Sequence, residues 1–259
     1  MTAKTYILPV RQPTRMARWG RRLAGLALML ILVSAVAHRY QFLATPDLLR
    51  VLAVDVVLAV LALVLAGVAF ARFWNDGDPV GRDILVAVLL ALIALSPAIY
   101  AVTLAAMRPM LNDIATDTAD PPQLRLAAQN RTPDMNPVVP ISAANAALQA
   151  QAYPSILGRR YALEFDQARS AVNEAIKSAG WTAQPAYDTG AGEVTIEATA
   201  RTPLWGFPYD VAVRITDEGG TVFIDMRSAS RYGHHDLGDN AARIISFYQL
   251  LDEKARERL

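Results

Sequence analysis

The densest run of reactive side chains is Asp225–Asn240, DMRSASRYGHHDLGDN. It begins in a strand-like alternation and ends where a helix starts, so Arg227 and Arg231, with Arg243 one turn further on, fall near a helix N-terminus. Free N–H groups and the helix dipole favour anions there, which predicts a site for a lipid phosphate or a glycan carboxylate. The acids have a second reading, with Asp236 as the N-cap, Asp239 in the first turn, and the arginines paired with Asp210, Asp225 and Asp239. Two carboxylates beside a cation also suit acid–base work, so Asp236 and Asp239 near Arg231 keep an envelope hydrolase or transferase open. His234-His235-Asp236 invites a metal, but neighbouring side chains of an extended chain point to opposite sides, and the remaining histidine, His38, lies in an apolar stretch. No serine sits in a nucleophile-elbow context and no histidine-linked triad assembles, so no catalytic residue is assigned. The chain has no cysteine, which excludes disulfides, thiolate metal sites and thiol nucleophiles. No pattern calls for a cofactor or a metal.

These residues need a scaffold, and the last hundred residues supply a β-α-β-β-β-β-α pattern. Arg160–Glu164 reads as a strand. Asp166 then caps a helix with Ala168, Val172, Ala175, Ile176 and Ala179 on one face and Gly180 after its end. Trp181–Tyr187, Glu193–Arg201, Asp210–Thr216 and Thr221–Ala229 read as strands, the last three alternating cleanly. A final helix from near Asp236 carries Ala241, Ile244, Ile245, Tyr248 and Leu251. Alternation predicts an antiparallel sheet with one face covered by the two helices, an α+β domain over 159–259. A symmetric turn at Asp217-Glu218-Gly219-Gly220 sets Thr216 opposite Thr221, Arg214 opposite Phe223, Ala212 opposite Asp225 and Asp210 opposite Arg227. Asp210–Arg227 is then a direct ion pair and Arg214–Asp225 a diagonal one, on the face away from Val213 and Ile224. That face reads either as solvated charge or as a ligand-facing groove that includes Arg214. Trp205 and Phe207, in a loop, read as core packing or as a contact with membrane or ligand.

Residues 112–158 form a linker or strap. Pro121, Pro122, Pro133, Pro137, Pro140 and Pro154 exclude most regular structure, and one helix is expected at Ser142–Ala152 with Ser142 as N-cap. Asp113, Asp117 and Asp120 read as a solvated acidic stretch, because a calcium loop would need a glycine bend and a closing glutamate.

The first 111 residues hold three apolar stretches, at about 19–40, 48–73 and 84–107, and the whole chain is 53% hydrophobic. The latter two easily cross a hydrocarbon core of about 30 Å as helices, and the first is the shortest. Ala35-Val36-Ala37 also fits a signal-peptide cleavage site, but apolar segments follow at once and favour a retained anchor. Lys4, Arg11, Arg15, Arg18, Arg21 and Arg22 precede the first span, against Arg39 and Arg50 in the first loop and Arg72 and Arg82 in the second. Lysine and arginine excess holds that arm in the cytoplasm. Three crossings then place the C-terminal domain outside, in the periplasm of a Gram-negative inner membrane. Asp55, inside the second stretch, reads as an interfacial acid, with function as the alternative. Ser96-Pro97 predicts a packing kink. A net charge of +1 and the lack of a basic face give no nucleic-acid signal.

Thr195–Arg243 resembles the bacterial family called domain of unknown function 1499, in its membrane-anchored proteobacterial branch. The matching residues are Arg201, Gly206-Phe207-Pro208, Asp210-Val211, Val213-Arg214, Arg227-Ser228, Ser230-Arg231, Gly233, Asp236, Gly238, Asn240 and Arg243. Asn112-Asp113-Ile114, Thr116-Asp117, Pro121-Pro122 and Tyr153-Pro154 extend the likeness to about 111–252. A cysteine-containing Asn-Cys-Val-Ser motif common in other members is absent here. The resemblance carries no activity; it implies the domain and marks Arg227, Ser230, Arg231, Asp236 and Asn240 for testing. The sequence thus reads as three membrane helices followed by an α+β domain. Its expected partners are membrane lipids and an envelope protein or glycan, either as a binding module or as a structural subunit of a membrane complex. Arg214, Arg227, Ser230, Arg231, Asp236, Asn240 and Arg243 are the candidate ligand-binding residues.

Overall fold

The computed structural model of the chain describes residues 15–76, 80–190 and 192–258; Lys4 and Arg11 of the basic arm lie outside them. The chain divides into two compact units between Tyr100 and Ala101.

The first unit contains α1 (Arg15–Arg39), α2 (Thr45–Asp76) and most of α3 (Gly81–Met107), each long and apolar enough to cross a membrane. Its packing is inverted relative to a water-soluble bundle. Ala17, Ala24, Ala27, Ala59, Ala62, Ala66, Ala69, Ala87 and Ala91 are buried, while Leu32, Val33, Val57, Val64, Leu89 and Ile93 face outward. Small residues let helices approach closely where lipid removes the hydrophobic drive for burying large ones. A Cβ on Gly20 would lie 3.2 Å from the Ala62 carbonyl oxygen. Arg21 ion-pairs with Asp83 at 2.7 Å, and His38 Nε2 lies 2.9 Å from Thr45 Oγ1, tying the end of α1 to the start of α2. Asp55 is 1% exposed, covered by protein, and its Oδ1 has no hydrogen-bond partner. Pro97 lacks the N–H that would bond Ile93, and the Ser96 hydroxyl donates to the Ile93 carbonyl instead, at 2.8 Å.

The second unit is an antiparallel sheet ordered β1-β7-β6-β5-β3, with β2 also on β7 and β4 also on β5. The strands are β1 (Asp113–Ala115), β2 (Arg159–Tyr161), β3 (Thr182–Ala183), β4 (Tyr187–Gly190), β5 (Glu193–Arg201), β6 (Pro208–Asp217) and β7 (Val222–Ser230). Helices α6 (Phe165–Ser178) and α7 (Asp239–Arg256) cover one face, as the alternation implies. Val172, Ile176, Ile196, Val213, Ile224, Met226, Ile244, Phe247 and Leu251 form the core between them. Phe207 packs against it, as core packing of that loop requires. The cap of α6 is Glu164, whose N–H donates to Gln167 Oε1, and Asp166 lies in the first turn.

Three expectations change. Residues 112–158 form a strap on the domain, as one of the two readings has it, but with more regular structure than the prolines predict. Strand β1 pairs with β7, α4 (Arg125–Gln129) packs Leu124 and Ala127 on Ala212 and Ala229 of the second face, α5 (Ala143–Ala152) begins at the expected Ser142 cap, and Ile114 and Ile156 join the helix-face core. The side chain of Gln149 on α5 closes the free edge of β1, accepting from Ala115 N (3.2 Å) and donating to Ala115 O (2.6 Å). Second, the hairpin register is shifted by two residues, with Asp217 opposite Val222 and Arg214 directly opposite Asp225. Glu218 N donates to Thr221 O, and Gly219 and Gly220 both have positive φ, so the loop is Glu218–Thr221 and Asp217 stays in the strand. An even shift keeps every side chain on its expected face but changes its partner. Third, Asp113 and Asp120 are ion-paired, and Asp117 Oδ1 accepts from the N–H groups of Ala119 and Asp120.

Gln149→Ala would leave the buried N–H and C=O of Ala115 unmatched. The expected loss is about 2–4 kcal/mol of stability in the second unit, read by chemical denaturation of the full chain. A loss below about 0.5 kcal/mol would mean that α5 does not seal this edge.

Candidate functional site

The seven candidate residues fall on opposite faces of the sheet and make two separate clusters. Strand alternation sends Arg214, Arg227 and Arg231 toward the strap, and Ser230 toward the helices.

On the strap face each arginine meets a carboxylate. Arg214 forks onto Asp225 through Nε (3.0 Å) and Nη2 (2.6 Å), and its Nη1 reaches Asp120 Oδ2 at 2.8 Å. Burial opposes the Arg214 charge, but the hydrogen bonds and charges of Asp225 and Asp120 outweigh it and raise the guanidinium above its ordinary range. Arg227, 3% exposed, donates to Asp113 Oδ2 at 2.7 Å and to the Val139 carbonyl at 2.8 Å. The expected Asp210–Arg227 pair does not form, because the shifted register places Ala212 opposite Arg227. Asp210 receives Arg231 instead, through Nη2 (2.7 Å) and Nε (3.1 Å), and Arg231 Nη2 also donates to Thr199 Oγ1. Glu197 is buried here as well. It accepts the N–H groups of Leu126 and Ala127 at 2.8 and 2.9 Å, and the Tyr187 hydroxyl at 2.7 Å, holding α4 on the sheet.

Arg131 is the functional candidate that sequence reasoning misses. Its Nη2 lies 2.9 Å from Asp210 Oδ2, and its side chain is 8% exposed. Its Nε and Nη1 are buried without a hydrogen-bond partner. Burial lowers its pKa from the ordinary value, and Asp210 restores only part of that loss. No motif signals it, because it is a single arginine in a proline-rich stretch whose partners lie about eighty residues or more away.

On the helix face the centre is Asn240, fully buried. Its Oδ1 accepts from Ser228 Oγ (2.7 Å) and Arg243 Nη1 (3.2 Å), and its Nδ2 donates to Ser230 Oγ (3.0 Å) and the Asn112 carbonyl (3.1 Å). The Arg243 guanidinium stacks 3.8 Å from the Tyr209 ring centroid, and the Tyr209 hydroxyl donates to Asp239 Oδ2 at 2.9 Å. Burial lowers the Arg243 pKa against the pull of Tyr209 and Asp239. Helix α7 starts three residues later than expected, with Gly238 at its N-cap in the left-handed region (φ 88°). Asp236 still receives the helix N–H groups, accepting from Gly238 N (2.8 Å) and Asn240 N (3.0 Å). Burial pushes its carboxyl up, against those two hydrogen bonds. Both acids of the hydrolase reading therefore hold structural partners. His235 Nδ1 accepts from Leu237 N at 2.9 Å, which makes Nε2 the protonated nitrogen, 3.2 Å from the Arg108 carbonyl it donates to. Among the described residues no three histidine or acidic side chains gather as a metal site.

Asp113→Ala would strand buried Arg227, with an expected cost of about 3–5 kcal/mol. Adding Arg227→Met should recover much of it, because the uncompensated charge goes with the arginine. Equilibrium unfolding of both variants decides, and strictly additive losses would contradict this account of the pair.

No curated protein matches the chain. Among solved structures, the vertebrate conserved region of human METTL16 aligns at 13% identity over 40% of this chain and 85% of its own, with a TM-score of 0.27. The profile of the family described as Protein of unknown function (DUF1499) matches residues 113–251, the strap and sheet together with most of α7. This match spans more than half of the chain, and the protein belongs to that family.

Proposed function

We propose that the protein is a membrane-anchored binding module that presents its α+β domain on the far side of a bacterial inner membrane, in the periplasm, to a lipid, glycan or envelope protein. The observation that carries this reading is the use of the motif residues. Ser228, Ser230, Asn240, Asp236, Arg227 and Arg214 are spent on hydrogen bonds and ion pairs inside the domain. Such ties suit a rigid surface held ready for a partner, since preorganisation cuts the entropy cost of binding. The charge rule supports the orientation, because Arg15, Arg18, Arg21 and Arg22 crowd the start of α1.

The absence of native cysteine makes both halves of the reading testable in intact cells. With single replacements Arg18→Cys and Lys177→Cys, a membrane-impermeant maleimide applied from outside is expected to label only the second once the outer membrane is opened. Labelling of Arg18→Cys alone would reverse the orientation. Photo-cross-linking from exposed Lys177 and Arg169 on α6, in native membranes, should yield a defined adduct. Recovery of uncross-linked monomer alone would count against a binding role for this face.

A further inference from the structure

We infer that Arg131 and Arg231 form an oxyanion-binding site where the strap covers the end of β7 and the start of β6, taking the phosphate or carboxylate group of a ligand. Two guanidiniums converge on the one carboxylate of Asp210, and Arg227 with Asp113 stands beside them. Three buried or part-buried guanidiniums thus share two carboxylates in this cluster. Buried charges need compensation in full, because desolvation costs far more than an exposed pair returns. The unmatched groups are specific: the Nε–H and both Nη1–H bonds of Arg131, nine-tenths buried, have no acceptor. Asp210 receives Arg131 Nη2 and the Nε and Nη2 of Arg231, and makes no bond to these groups. An oxyanion supplies both negative charge and several acceptor lone pairs, and planar guanidinium is suited to phosphate and carboxylate.

Solvent reaches the residues around the buried Arg131 guanidinium. Arg231 keeps 23% of its side chain exposed, and Thr132, Pro133 and Asp134, which follow Arg131, face solvent. The segment is also pinned. Asn136 N donates to the Arg231 carbonyl, and Asn136 Nδ2 donates to the carbonyls of Ser230 (3.0 Å) and Gly233 (2.7 Å). These bonds tie the segment that follows Arg131 to the loop that follows β7.

This assignment rests on the binding-module reading, and its test is separate from partner capture. The full-length chain in phosphatidylcholine nanodiscs is titrated with inorganic phosphate, and separately with acetate, against chloride at constant ionic strength. Saturable binding of at least one oxyanion is expected, with Kd at least tenfold weaker in Arg131→Met. Exchange into phosphatidylglycerol nanodiscs separates the sources: competition between that lipid and soluble phosphate, lost in Arg131→Met, assigns the ligand to lipid headgroups. Saturable binding without such competition assigns it to a soluble oxyanion. Because Arg131→Met could also alter folding, amide exchange of the native chain is followed in parallel. Phosphate or acetate is expected to slow exchange over residues 131–136. No saturable binding of either anion, an unchanged Kd in a folded Arg131→Met, or unaltered exchange in the native chain would overturn the site. Partner cross-linking that persists through that result would leave the binding-module reading standing.

Discussion

The second unit depends on how charge is compensated on the sheet face opposite α6 and α7. Asp210, Asp225, Glu197 and Arg227 are buried there, each at most 4% exposed. An uncovered sheet could leave such residues in water, but this one places a proline-rich strap over them. The strap supplies Asp113 and Asp120 as counter-charges, the Val139 carbonyl as an acceptor, and the first N–H groups of α4 as donors for Glu197. In return the sheet supplies what the strap cannot make for itself. A three-residue strand and a five-residue helix have too few internal hydrogen bonds to persist alone. Each side therefore completes the other, and the family match, which begins at residue 113, includes the strap with the sheet.

The membrane unit solves a different problem with the same economy. Its helices expose large apolar residues and meet through alanine and glycine, so van der Waals contact does what hydrophobic burial does in water. Its few internal polar groups satisfy backbone or each other. Ser96 repairs the carbonyl freed by Pro97, Ser34 donates to the Ile31 carbonyl, and His38 meets Thr45. Asp55 stands apart among these groups, buried with an unpartnered oxygen.

Local pattern made much of this legible. Alternation over Glu193–Arg201 gives β5 to the residue, and the helix-face residues of β6 and β7 are those expected, because one apolar face enforces period two. Hairpin register was not legible, since it hinges on whether Asp217 belongs to the strand or the turn, and only the Glu218–Thr221 bond decides that. Strand β1 was hidden because Asp113–Ala115 is too short to alternate, and its pairing to β7 spans more than a hundred residues of chain. Long separation in the chain also hid Asp113–Arg227 and Arg131–Asp210. For the candidate site, residue identity was readable and grouping was not: the seven chosen side chains separate onto two faces. Asp236, expected as the N-cap, receives the N–H groups of Gly238 and Asn240, but the cap itself is Gly238, because Leu237 and Gly238 both take positive φ.

The claim that strap and sheet form one cooperative unit is tested most directly by native-state amide exchange on the full chain under mildly denaturing conditions. The N–H groups of Thr116 and Ala127, bonded to Met226 and Glu197, should open with the same free energy and denaturant dependence as those of β7. Strap amides that open by local fluctuation, several kcal/mol below β7 on the scale of a typical domain stability of about 5–15 kcal/mol, would contradict the account.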